Sequence, residues 1–108
     1  MKEIRAYVQP FVLGRLVQVL TEIPGFPGLS VSDCEGFGRD RIEAGHDFTP
    51  FAPKKRLEIF APDPLVDTIV TAIMAHAHTG RAGDGKVFVF EVLEGGRIRT
   101  GQRGPEVL

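Results

Sequence analysis

The chain has 108 residues, a formal net charge of −1 and a hydrophobic fraction of 43%. That length suits one compact domain, residues 1–108, and the apolar fraction argues against general disorder. The near-neutral charge ranks duplex nucleic-acid binding low, since phosphate contacts favour a basic surplus, and the apolar runs are far shorter than a bilayer span.

No succession of charged, apolar and small residues marks a signal peptide, so the expected location is the cytoplasm, with no membrane insertion. The single Cys34 has no partner for an internal disulfide, in agreement.

In chain order, Ile4, Ala6 and Val8 alternate with Glu3, Arg5 and Tyr7, which predicts a strand over residues 3–9. Pro10 ends it. Leu13, Leu16, Val17 and Leu20 repeat at helical spacing, predicting a helix over residues 11–22 despite the cost of Gly14. Ile23-Pro24-Gly25-Phe26-Pro27-Gly28 reads as a turn. Leu29 then opens a second strand toward Gly36. The stretch from Gly36 to Pro53 has no sustained period, and a loop of that length in a small domain is usually functional or mobile.

Lys55, Leu57, Ile59 and Ala61 alternate with Arg56, Glu58 and Phe60, a third strand. Asp63 is a good N-cap and Pro64 suits the first helical position. Leu65, Val66, Ile69, Val70, Ile73 and Ala77 form one helical stripe, which Gly80 is placed to terminate. Val87-Phe88-Val89-Phe90 is a fourth strand, apolar on both faces.

The order strand, helix, strand, strand, helix, strand is the α+β, ferredoxin-like βαββαβ arrangement. Two helices cover one face of such a sheet. A strand apolar on both sides needs the other face covered too, and in so short a chain another copy of itself is the simplest cover. A homo-oligomer is therefore expected.

Between the second helix and fourth strand lies Thr79-Gly80-Arg81-Ala82-Gly83-Asp84-Gly85-Lys86. Three glycines allow sharp turns and close approach to a ligand, and the N–H groups of such a loop can accept anionic oxygens. Lys86 adds a point charge suited to phosphate. If Arg97-Ile98-Arg99 is extended, its two guanidiniums share one face. These parts make a polyphosphate cradle. The plainer reading is a hairpin loop with solvated charges, in which Asp84 stabilises its own turn.

Taken together, the motifs resemble the PII signal-transduction family over nearly the whole chain. Tyr7-Val8-Gln9-Pro10-Phe11 resembles the end of the family's first strand, and Gly36-Phe37-Gly38-Arg39 the motif opening its T-loop. Pro53-Lys54-Lys55-Arg56-Leu57-Glu58 is similar to the T-loop's return, Thr79 to Phe88 to the B-loop, and Arg97-Ile98-Arg99-Thr100-Gly101 to the C-terminal phosphate-binding segment. The resemblance implies a homotrimeric, cytoplasmic, non-enzymatic regulator with ATP, ADP or AMP in each cleft between subunits. It implies phosphate contacts from Gly83, Gly85, Lys86, Arg97 and Arg99, with Asp84 among the nucleotide-binding residues of the loop. Ser30, Gly36, Phe37, Gly38 and Arg39 would bound the rest of the nucleotide. The loop at about 37–53 would engage a protein partner, with a membrane transporter as one candidate.

Some positions depart from the family pattern. The segment between Arg39 and Phe51 is shorter than is usual, and the only tyrosine is Tyr7, so the modifiable T-loop tyrosine is absent. Asp40 stands in place of a glutamine that helps bind Mg2+ and 2-oxoglutarate, whereas Lys54 keeps the lysine that pairs with 2-oxoglutarate. A carboxylate there can still take a hard cation but opposes a dicarboxylate. One branch lacking the tyrosine is associated with heavy-metal efflux.

The alternative is a metal-binding or metal-tolerance protein on the same fold, with Cys34, Glu43, His46 and Asp47 as candidate ligands. Their spacing is loose, and loop histidines are usually just solvated. His76 and His78 would face apart on a continuing helix, so they do not chelate. No nucleophile–base pair or carboxylate pair demands catalysis.

Overall fold

The computed structural model describes residues 1–38 and 51–108. Strand β1 (Lys2–Val8) leads through a 3-10 turn (Pro10–Val12) into helix α1 (Leu13–Thr21). Strands β2 (Ser30–Gly36) and β3 (Ala52–Ala61) follow, then helix α2 (Asp63–His76) and strand β4 (Gly85–Glu91). A short hairpin, β5 (Gly95–Gly96) with β6 (Arg103–Gly104), lies beyond. The main sheet is antiparallel with order β2-β3-β1-β4. This is the α+β, ferredoxin-like fold expected.

The core lies between the helices and one sheet face. Ile4, Ala6 and Val8 point into it from β1, and Leu57, Ile59 and Ala61 from β3. Val12, Leu16 and Leu20, spaced by four, bring the buried side of α1 onto them, as Ile69, Ile73 and Ala77 do for α2. Truncating one of these fully buried chains, such as Leu16 or Ile69, to alanine would cost about 2–5 kcal/mol.

The opposite face holds Glu3, Arg5 and Tyr7 of β1, set between β3 and β4. Glu3 stands between Phe60 and Phe90 in the ladder, which leaves it only 8% exposed. Arg5 meets its carboxylate with two bonds, Nε to Oε2 at 2.9 Å and NH2 to Oε1 at 3.0 Å. The same guanidinium lies 4.6 Å from the centre of the Phe90 ring. A buried acid is tolerable here because it is paired and forked. Phe60, Phe88 and Phe90 stay more than two-fifths exposed, so this face is apolar as well as charged.

Four local expectations change. The first helix starts as a 3-10 turn, because Pro10 cannot donate and Val12 N–H bonds back to Gln9 O at 3.2 Å. Strand β3 starts at Ala52, since Gly36 pairs with Ala52 and Glu35 with Pro53, so residues 52 and 53 belong to the ladder rather than the loop. Asp63 does not cap α2 with its side chain. Its Oδ1 accepts from the Met1 ammonium at 2.8 Å, and these charges, with Lys2, hold its carboxyl below the usual value. Helix α2 ends at His76, four residues before Gly80.

Candidate functional site

The glycine loop leaves α2 and turns back on itself before β4. Asp84 organises it. One carboxylate oxygen accepts from Thr79 N–H at 2.7 Å and Gly80 N–H at 3.0 Å, and the other from the Thr79 hydroxyl. These bonds, Thr79 first, lower the Asp84 carboxyl below its ordinary value, with a smaller contribution from His78 at 3.8 Å. Asp84 thus ties the turn, as the plainer reading of the loop had it.

Gly85 has φ +112°, and a Cβ there would lie 1.7 Å from the Tyr7 carbonyl oxygen. Only glycine lets β4 join β1 at this point. Gly83 has φ +86°, and its carbonyl accepts two side chains, Lys54 Nζ at 2.6 Å and Gln9 Nε2 at 2.7 Å. The loop is therefore fastened to the ends of β1 and β3, next to the stem of the 39–50 segment.

At that stem Gly36 pairs with Ala52, and just beyond the pair Phe37 and Phe51 pack together. Gly36, Phe37, Gly38, Lys54, Gly83, Asp84, Gly85 and Lys86 all lie at this one end of the sheet. Ser30 is at the other end of β2, opposite Glu58. Arg39, Asp40, Glu43, His46 and Asp47 lie outside the described residues, so the Mg2+ expected at Asp40 falls there too.

Arg97 and Arg99 are elsewhere. Strand β4 carries the chain from Gly85, opposite Val8, to Glu91, opposite Lys2, a rise of roughly 20 Å. Val92 N–H then bonds Met1 O at 3.3 Å, and β5 begins beside Met1. Nor is the segment extended. Arg97 N–H bonds Gln102 O and Gly101 N–H bonds Arg97 O, both at 2.8 Å, which wraps Ile98 to Thr100 into the turn of the β5–β6 hairpin. The expectation of two arginines on one side of a strand fails, because Gly101 at φ +76° lets the chain reverse here. The Arg97 guanidinium also donates to the Leu108 main-chain oxygen. Within one copy, then, the arginines and Lys86 stand at opposite ends of the sheet.

Of the candidate metal ligands only Cys34 is among the described residues. It is half-buried, with its sulfur 3.7 Å from Lys54 O. Among those residues no three cysteine, histidine or acidic side chains gather. His76 is half-buried at the end of α2, and no described helix is long and apolar enough to cross a membrane.

Comparison with known proteins agrees with this architecture. Residues 1–102 match the family model described as nitrogen regulatory protein P-II. The chain belongs to the P-II family. It is 40% identical over 113 positions to the nitrogen regulatory proteins P-II of Rhodospirillum rubrum and Azospirillum brasilense, with each chain fully covered. It is 42% identical over 107 positions to nitrogen regulatory protein P-II 1 of Escherichia coli K12, covering 94% of this chain and 95% of that one. The first two alignments span more positions than the 108 residues here, so those relatives carry positions that this chain lacks. P-II proteins are regulators and not enzymes, and they typically assemble as trimers that act on protein partners. Gln9 is the residue that sequence reasoning missed. It appeared only as part of a motif, and nothing in its spacing points to the Gly83 carbonyl 74 positions away.

Proposed function

We propose that this P-II-type regulator binds an adenine nucleotide in clefts between three copies of the chain and signals through the segment that joins β2 to β3. The observation that carries the reading is the separation of the two basic clusters by the length of β4. The glycine loop and Lys86 of one copy and Arg97 and Arg99 of the next would together surround one polyphosphate, with Ser30, Gly36, Phe37, Gly38 and Arg39 bounding the rest of the nucleotide. The open sheet face supports assembly: Phe60, Phe88 and Phe90 around the Glu3–Arg5 pair need cover.

Nucleotide binding biases the loop only if affinity differs between two loop states. The loop then engages a protein partner in the cytoplasm, with a transporter as one candidate. Asp40 and Lys54 are proposed as the second effector or cation position. Lacking a loop tyrosine, the chain responds to ligands rather than to modification of such a residue. Sedimentation and calorimetry with ATP, ADP and AMP test this. A trimer binding at least one of them is expected, and a folded oligomer that binds none at millimolar concentration would refute it.

A further inference from the structure

We infer that Gln9 is a positioning residue of the glycine loop, which with Lys54 holds the Gly83 carbonyl inward and so aims the Asp84 N–H outward at an anion. This deepens the nucleotide reading and rests on it.

The geometry begins with one carbonyl and two donors. Gln9 Nε2 lies 2.7 Å and Lys54 Nζ 2.6 Å from Gly83 O. A carbonyl oxygen has two lone pairs and accommodates both. The side chains also pack beneath the glycine itself: a Cβ on Gly83 would stand 3.3 Å from Gln9 Nε2 and 3.5 Å from Lys54 Nζ. The Gly83–Asp84 peptide is planar and trans, so its C=O and N–H point in opposite directions. Fixing the carbonyl toward β1 and β3 therefore turns the Asp84 N–H away from the protein, the direction in which a loop of this kind meets anionic oxygens.

The two donors differ in what they contribute. Lys54 is a charge on a flexible stem, free to change partners, and it sits near the start of β3, the strand that returns from the 39–50 segment. Gln9 is a neutral amide on the residue joining β1 to the 3-10 turn, directly before Pro10. Its side chain makes no capping bond to that turn. Gln9 thus keeps the loop in its anion-ready shape when Lys54 is drawn elsewhere, and Lys54 transmits the state of the β3 end to the loop.

The test uses the assembled full-length protein. Gln9→Met removes the amide at similar length, and ATP, inorganic tripolyphosphate and adenosine are titrated by calorimetry. The expected result is a rise in Kd of about threefold to tenfold for both phosphate ligands, the size of one hydrogen bond, with adenosine unaffected. The Asp84 amide resonance of the ligand-free variant should move. Lys54→Met should weaken ATP binding more in the Gln9→Met background than in wild type. If Gln9→Met does not assemble, Gln9→Asn withdraws the same amide by one carbon and should give the same pattern. Unchanged affinity for ATP and tripolyphosphate, with the wild type binding both, overturns the inference alone. A wild type that binds no nucleotide overturns the functional reading, and this inference with it.

Discussion

Phe37 and Phe51 meet edge to face, with ring centroids 4.8 Å apart and planes at 88°. They stand immediately beyond the last ladder pair, Gly36 with Ala52, and close the stem of the segment between them. Edge-to-face rings are worth about 0.5–1.5 kcal/mol beyond their buried area. Phe51→Ala should therefore lower overall stability by little, since both rings are nearly half exposed, yet speed amide exchange at Gly36 and Ala52. A double-mutant cycle with Phe37→Ala, read by hydrogen exchange, should return a coupling of that size.

The separation of Lys86 from the two arginines makes a mixing experiment decisive. A Lys86→Ala chain and an Arg97→Ala, Arg99→Ala chain should each bind ATP far more weakly than wild type, the arginine pair more so, because it removes forked donors. If one site takes its loop from one copy and its arginines from a neighbour, co-refolding equal amounts should restore about a quarter of the sites to wild-type affinity. A site contained within one chain would give no recovery.

Two glycine-to-alanine changes should act in opposite directions. Gly85→Ala places a Cβ 1.7 Å from the Tyr7 carbonyl oxygen at φ +112°, and should cost more than about 3 kcal/mol in chemical denaturation. Gly14→Ala lies on the exposed side of α1 with nothing within 4 Å of the new methyl, and should stabilise by about 0.5–1 kcal/mol.

Asp84 gives the loop a pH dependence. Its carboxyl is lowered from the ordinary 3.8 by the bonds from Thr79 and Gly80. A depressed folded-state value means that its stabilisation is fully present above the unfolded-state value, and is lost as pH falls through the folded one. The Thr79 and Gly80 amide resonances should therefore hold their positions through pH 5 and shift only below the ordinary carboxylate range. Asp84→Asn should abolish that acid transition and lower the melting temperature at neutral pH.

The sheet and helices were legible in the sequence because their signals are local. Alternation in β1 and β3 and the four-residue repeats of α1 and α2 each reflect one buried face. The glycine loop was legible too, since Gly83 and Gly85 mark backbone that other residues resist. The conformation of Arg97 to Arg99 was not. Alternation over three residues is weak, and the hairpin is decided by Gly101 and by pairing between Gly96 and Arg103. Gln9 and Lys54 converge on Gly83 only after three elements have assembled, and no short-range pattern encodes such a meeting. Asp63 had the residue type of a cap, but its carboxylate went to the nearer positive charges of Met1 and Lys2.

Strand β4 lies at an edge of the sheet, and its centre, Val87-Phe88-Val89-Phe90, carries no charge. Such a segment on an open edge invites pairing with a stranger and the growth of fibrils. Lys86 and Glu91 bracket it with opposite charges, as gatekeepers do in aggregation-prone stretches. If the chain assembles as proposed, Lys86 would have a second duty beside the phosphate: its charge would help keep the newly made, unassembled chain soluble.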